Sequence, residues 1–368
     1  MKIKAIAAVM CALMLMSSCS LLRNEQDSKS PSGSGTSAVQ QSSEGSGDIS
    51  GNESSKPSDD SKADDSKTDD SSLTAESSEP SQNNSSAASE ESTSENSIIP
   101  SPYCRSAVLY SVDDKKIIYD DGADIVTAPA SITKLLTASV MLKNMDENDI
   151  VTVGSELDLV NPESSICYIS MGNRLKVKDL LTGMLLNSGN DAAYTAAVSA
   201  ARAAHPGEEL SDKEAVSIFV GMMNDLAAEI GMSSSHFATP DGWDDSEQYV
   251  TAADLAKLSE YALGIPVLRE IVGTHEKSVT FESGESITWT NTNLLLDPDS
   301  EFYCENAIGL KTGTTDNAGC CLASAIEKDG KTYISVVMGC TQSEDRYIMT
   351  LKVFEKAKAT PHKDRLSA

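Results

Sequence analysis

The stretch Thr127–Met145, TAPASITKLLTASVMLKNM, places a serine three residues before a lysine where a helix begins. Pro129 marks the upstream boundary, and apolar residues follow at helical spacing from Ile132. A separation of three puts Ser131 and Lys134 on one face of the first turn. A hydroxyl beside an amine is an ordinary solvated pair on many helices. It is also how a nucleophile sits beside its base, and the rest of the chain decides between the two.

The chain has 368 residues and a formal net charge of −27, unevenly spread. Residues 1–19 begin with Lys2 and Lys4, continue in an apolar run from Ala5 to Met16, and end in Leu15-Met16-Ser17-Ser18-Cys19. The run is too short to span a bilayer as a helix and has the layout of an export signal. Its end resembles a bacterial lipobox, which implies that Cys19 receives a lipid and becomes the new N-terminus. Residues 20–97 hold 16 acidic and 5 basic residues among Ser, Asn and Gly. Such a segment buries too little apolar surface to offset the entropy of ordering and is expected to be a disordered acidic tether. Residues 98–368 form the expected folded domain. Its strong negative charge argues against a nucleic-acid partner, which calls for a basic face.

Eight cysteines are present, and six follow Cys19: Cys104, Cys167, Cys304, Cys320, Cys321 and Cys340. None forms a C-x-x-C or a ligand-spaced cluster with histidine, so no metal site is expected. A Cys104–Cys304 bridge is one pairing open to an exported domain. Cys320 and Cys321 adjoin in a predicted strand and should face opposite sides of a sheet.

AVLYSVDDKKIIY, residues 107–119, reads as two short strands around Asp113-Asp114. Helical patterns cover Val177–Leu186, Asp191–Ala204, Val216–Ile230 and Thr251–Leu263, and strands cover Ser278–Thr290 around Ser283-Gly284. GCCLASAIEKDGKTYISVVMGC, residues 319–340, is a hairpin turning at Asp329-Gly330, and a last helix follows from Glu344 to Ala359. Strands at both ends and helices between them predict an α/β fold: one antiparallel sheet flanked by the first and last helices, plus a mainly helical lobe.

The chemistry rests on three motifs. Ser131-Ile132-Thr133-Lys134 is the only S-x-x-K of the chain, Ser188-Gly189-Asn190 the only S-x-N outside the tether, and Lys311-Thr312-Gly313 the only K-T-G. Each is weak alone, but their order and their places at element boundaries are specific together. The set resembles the penicillin-interacting serine enzymes, and most closely the low-molecular-weight D-alanyl-D-alanine carboxypeptidases. SSICYISMGNRLKVKDLLTGMLLNSGNDAA, TPDGW followed by YVTAADLAKLSEYAL, and AIGLKTGTTDNAGCCLASA are similar to that family's corresponding segments. The resemblance covers roughly residues 100–360 and implies the β-lactamase/transpeptidase-like fold, no cofactor, peptidoglycan stem peptides as substrate and β-lactams as covalent inhibitors.

It also implies roles. Ser131 is the nucleophile and Lys134 its base, which requires a neutral amine; burial and the nearby cation Lys311 are expected to provide it. Ser188 relays a proton to the leaving amine, and Asn190 orients Lys134 and the substrate amide. The backbone N–H groups of Ser131 and Thr314 form the oxyanion hole. Lys311, Thr312, Gly313 and Thr314 lie on one edge strand, and Arg346 helps them hold the terminal carboxylate. The family's middle segment carries histidine where Asp241 and Gln248 stand here, outside the core catalytic positions. Relatives continue into a β-rich domain and a C-terminal anchor, which this chain is expected to replace by the lipid at Cys19. That places it on the outer face of the bacterial cytoplasmic membrane. A β-lactamase on the same scaffold needs a deacylating glutamate, yet Glu156 and Glu163 precede the second motif. A non-catalytic β-lactam or peptidoglycan binder would have no use for three intact motifs.

Overall fold

The computed structural model describes residues 103–357. The readings of the export signal, Cys19 and the tether lie outside the described residues, as do the two ends of the expected domain.

The chain opens with strands β1 (Ser106–Ser111) and β2 (Lys116–Asp121), antiparallel around Asp113-Asp114 as the pattern predicts. A 3-10 turn, Ala130–Thr133, leads directly into helix α1 (Lys134–Asn144). Strands β3 (Ile150–Thr152) and β4 (Arg174–Lys176) pair as a small ribbon. Helices α2 (Val177–Leu186), α3 (Asn190–Ala204), α4 (Asp212–Glu229), α5 (Ala252–Leu263) and α6 (Pro266–Val272) follow. A second ribbon, β5 (Glu276–Thr280) with β6 (Ser286–Thr290), precedes β7 (Ala307–Thr315), β8 (Gly319–Lys328), β9 (Lys331–Cys340) and helix α7 (Ser343–Lys356).

The large sheet has the order β2-β1-β9-β8-β7, with every neighbouring pair antiparallel. The early hairpin joins the late one because β1 pairs with β9, Val108 opposite Val336 and Leu109 opposite Ser335. Asp329 (φ 52°) and Gly330 (φ 73°) turn the β8–β9 hairpin, both in the left-handed region that a two-residue hairpin loop favours. Side chains alternate across the sheet with period two. Val108, Tyr110, Ala323, Ala325, Ile334 and Val336 face the main core, while Ala107, Leu109, Leu322, Tyr333 and Val337 pack beneath α7 against Tyr347, Val353 and Phe354. Cys321 and Cys320 accordingly face different clusters.

Two expectations are corrected, and a cysteine pairing left open is decided. The helix that opens at Ser131 meets the sheet only through its first turn, Ala130–Thr133, against β7 and β8; α5 covers the sheet, and α1 packs among α2, α3, α4 and α5. The reason lies in α1 itself, which is buried all round: Leu135, Leu136, Ala138 and Met141, and also Lys134, Thr137 and Ser139. Its polar groups are met internally, Ser139 donating to the Leu135 carbonyl and Thr137 to the Pro240 carbonyl. Helix α4 begins before its apolar pattern, because Ser211 and Glu214 form a reciprocal capping box. The disulfide joins Cys104 to Cys340 rather than to Cys304. The segment entering β1 runs along the end of β9, with Arg105 N–H donating to the Met338 carbonyl, and this carries Cys104 to Cys340.

Candidate active site

Ser131 sits in the 3-10 turn and Lys134 is the first residue of α1, so helical geometry alone brings them together. Lys134 Nζ donates to Ser131 Oγ at 2.8 Å and to the Asp241 carbonyl, also at 2.8 Å. Lys134 is 0% exposed. Burial lowers its pKa to about 8, against the opposing pull of Asp241, Asp191 and Cys167. The residue before the nucleophile, Ala130, has φ 48°, a conformation that L-residues avoid and that clusters at functional sites.

Two glycines let other segments close on this turn. A Cβ on Gly313 would lie 2.9 Å from Ala130 Cβ and 3.1 Å from Ser131 N, so edge strand β7 touches the nucleophile's own backbone. Gly242, with φ +84°, would place a Cβ 1.9 Å from the Ala130 carbonyl oxygen, so the loop before α5 is equally close.

A cleft of about 310 Å³ opens over Ser131. Ser188, Asn190, Thr312, Gly313, Thr314 and Arg346 all line it, so members of all three motifs converge there with the late arginine. Ser188 occupies the turn between α2 and α3 at φ 59°, and its carbonyl accepts from Ser165 Oγ at 2.8 Å. Arg346 Nη1 reaches Thr314 Oγ1 at 3.2 Å and the Gly313 carbonyl at 3.4 Å, and its guanidinium lies 5.0 Å from the Tyr347 ring centroid.

Two placements differ from expectation. Asn190 does not reach Lys134: its Nδ2 donates to Asp241 Oδ2 at 2.6 Å, and its buried Oδ1 has no partner. Lys311 is not part of the cleft lining; it is 1% exposed and donates to the Thr312 carbonyl at 3.0 Å. Burial, then the charges of Lys134 and Arg346, push the Lys311 amine well below its ordinary range. Burial is the leading cause of lowering at both amines.

The cleft also holds residues outside the motifs: Asp241, Trp243, Thr292 and Glu163. Thr292 Oγ1 shares a 2.6 Å hydrogen bond with Thr312 Oγ1. Nothing in the local sequence signals Thr292 or Glu163. For Asp241 a signal exists, since it stands where the resembling family has histidine. Among the described residues no group of His, Cys, Asp or Glu is placed to hold a metal ion, and no helix is long and apolar enough to cross a membrane.

A buried lysine with a pKa lowered to about 8, touching a hydroxyl that opens on a cleft lined by Arg346, can activate that hydroxyl against a carbonyl near an anionic group. Proteins of known activity share this arrangement's sequence and fold. DacA, a D-alanyl-D-alanine carboxypeptidase of Escherichia coli K12, is 32% identical over 250 residues, covering 66% of this chain and 57% of that protein. The chain spans about three fifths of the length of the curated relatives it matches. The Streptomyces K15 DD-transpeptidase superposes with a TM-score of 0.63 at 28% identity, over 70% of this chain and 98% of that one. Penicillin-binding protein D2 of Listeria monocytogenes, solved with ampicillin bound, gives 0.56 at 28% identity over 68% of this chain and 96% of that one. The sequence profile for D-alanyl-D-alanine carboxypeptidase, peptidase S11, matches residues 91–342, more than half of the chain. The chain belongs to the peptidase S11 family of D-alanyl-D-alanine carboxypeptidases.

Proposed function

We propose that this protein is a serine D-Ala-D-Ala carboxypeptidase that trims the terminal D-Ala from peptidoglycan stem peptides. The observation that carries the reading is the 2.8 Å contact between Ser131 Oγ and a buried Lys134 amine whose pKa is lowered to about 8. Lys134 takes the hydroxyl proton as Ser131 attacks the carbonyl of the penultimate D-Ala. The developing oxyanion lies at the N-terminal turn of α1, near the backbone N–H groups of Ser131 and Thr314. Ser188 passes the proton to the departing D-Ala amine, and water hydrolyses the ester. Arg346, with Thr312, Thr314 and Lys311 behind them, receives the substrate's terminal carboxylate. That carboxylate also favours the protonated form of Lys311. A β-lactam carbonyl in the same place acylates Ser131.

The test incubates the full chain with a stem pentapeptide and measures free D-alanine. Release by wild type and none by Ser131→Ala supports the reading; no release, or equal release by both, refutes it. A labelled penicillin should add to Ser131, and its failure to attach would favour a non-catalytic binder. A second reading, serine β-lactamase, draws on Glu163, whose loop lines the cleft. Rapid penicillin turnover by wild type, lost in Glu163→Gln, would put it first.

The chain works from the outer face of the membrane, held by a lipid on Cys19. Partition of wild type into the detergent phase, and of Cys19→Ser into the aqueous phase, is the expected outcome; identical partition would remove the anchor.

A further inference from the structure

The catalytic cluster contains a carboxylate that none of the three motifs supplies. Asp241 lies between α4 and α5, is 1% exposed and lines the cleft. Its backbone carbonyl accepts from Lys134 Nζ at 2.8 Å. Its Oδ2 accepts from Asn190 Nδ2 at 2.6 Å and its Oδ1 from the Trp243 N–H at 3.1 Å. Gly242, pressed against the Ala130 carbonyl, fixes this loop to the nucleophile's turn.

An ionised carboxylate only accepts hydrogen bonds. Asn190 must therefore turn its NH2 to Asp241, which leaves its carbonyl oxygen buried and unpartnered. We propose that Asp241 is a positioning residue of the acylation step: it fixes the Asn190 amide and the loop carbonyl that accepts from Lys134, and it sets a fixed negative charge beside that lysine. The proposal rests on the acyl-enzyme reading above.

Several groups act on Lys134. Asp241 from its loop and Asp191 from α3 favour the protonated amine; Cys167, in the segment before β4, also faces it, and burial holds that thiol well above its ordinary range. The Asp191 carboxylate is itself pinned by the N–H groups of Cys167, Ile169 and Ala192. Lys311 on β7, itself acted on by Arg346 on α7, is the opposing cation. Tyr194 on α3 faces Asp241, and burial together with that charge holds its phenol well above the usual range. Asp241 is the foremost counterweight to burial at Lys134.

The experiment compares the full chain with its Asp241→Asn variant, measuring the rate of Ser131 acylation by benzylpenicillin from pH 5.5 to 10. Loss of the charge should carry the acid limb about one unit lower in pH. A merely structural Asp241 would lower the melting temperature and leave the acid limb where it is. Superimposable acid limbs in two folded proteins overturn the proposal. If Asp241→Asn does not fold, Asp241→His, the residue the resembling family carries there, undergoes the same test. If wild type forms no adduct, the acyl-enzyme reading fails. The Lys134 titration, followed by NMR in lysine-labelled wild type and variant, then decides this inference separately: equal midpoints overturn it.

Discussion

Replacing Lys134 by Met should abolish acylation and make the protein more stable at neutral pH. Lys134 is 0% exposed, and burial lowers its pKa from 10.5 to about 8. At 1.36 kcal/mol per unit, holding the charged amine in the fold costs about 3 kcal/mol. The sign follows from linkage. The folded value lies below the unfolded one, so between roughly pH 8 and 10.5 the unfolded chain binds more protons and stability rises with pH. The full penalty is present below pH 8 and is gone above 10.5. Methionine, close in shape to the neutral amine, carries no such penalty. It leaves the Asp241 carbonyl without the bond it accepts from Lys134, which costs about 1 kcal/mol. The net gain is then about 2 kcal/mol at pH 7, or about 4–8 °C in melting temperature for a domain of this size. Calorimetry of wild type and Lys134→Met at pH 7 and pH 10 measures it, and labelled penicillin reports acylation, expected to fall by about a thousandfold or more. A variant that melts below wild type at pH 7, or whose gap is the same at both pH values, would refute the account of Lys134 as a buried base held at a cost to the fold.

Gly313→Ala should slow acylation by about a hundredfold, because the new methyl meets Ala130 Cβ at 2.9 Å and Ser131 N at 3.1 Å and pushes β7 off the nucleophile. Stopped-flow penicillin binding tests this, and an unchanged rate would mean the strand gives way elsewhere. Arg346→Ala should raise KM for a stem peptide about 10- to 100-fold, the worth of a charged hydrogen-bonding partner for the carboxylate, with a smaller effect on kcat. Because Arg346 helps depress Lys311, the same variant should let the Lys311 amine titrate at higher pH, observable by NMR. Reducing Cys104–Cys340, which spans 236 residues, should lower the melting temperature under dithiothreitol; the chain-entropy relation puts the loss at about 5 kcal/mol.

How much of the molecule was legible in sequence depended on how local each feature is. The Ser131–Lys134 pair follows from three residues of helix rise, and the β8–β9 hairpin from Asp329-Gly330 between alternating strands. Helix α2 matched its apolar pattern from Val177 to Leu186. Helix α4 was read short because its capping box lies outside the periodic stretch. The cleft was legible only through three motifs jointly, since no local rule brings Ser131, Ser188 and Gly313 to one opening.

The sequence by itself marked Ser131, Lys134, Ser188 and Asn190 as the candidates for the chemistry, because hydroxyl, amine and amide must stand at set intervals along helix starts and strand edges. It also determined the family. Tertiary structure alone decided what surrounds them. Asp241 meets Lys134 across 107 residues and Asn190 across 51. Cys104 pairs with Cys340, α5 rather than α1 covers the sheet, and Arg346 faces the cleft with Lys311 behind it. Burial, which sets the Lys134 proton affinity, and the contacts that close only when distant segments pack, are properties of the assembled core. A stretch of chain carries no record of what will be folded against it.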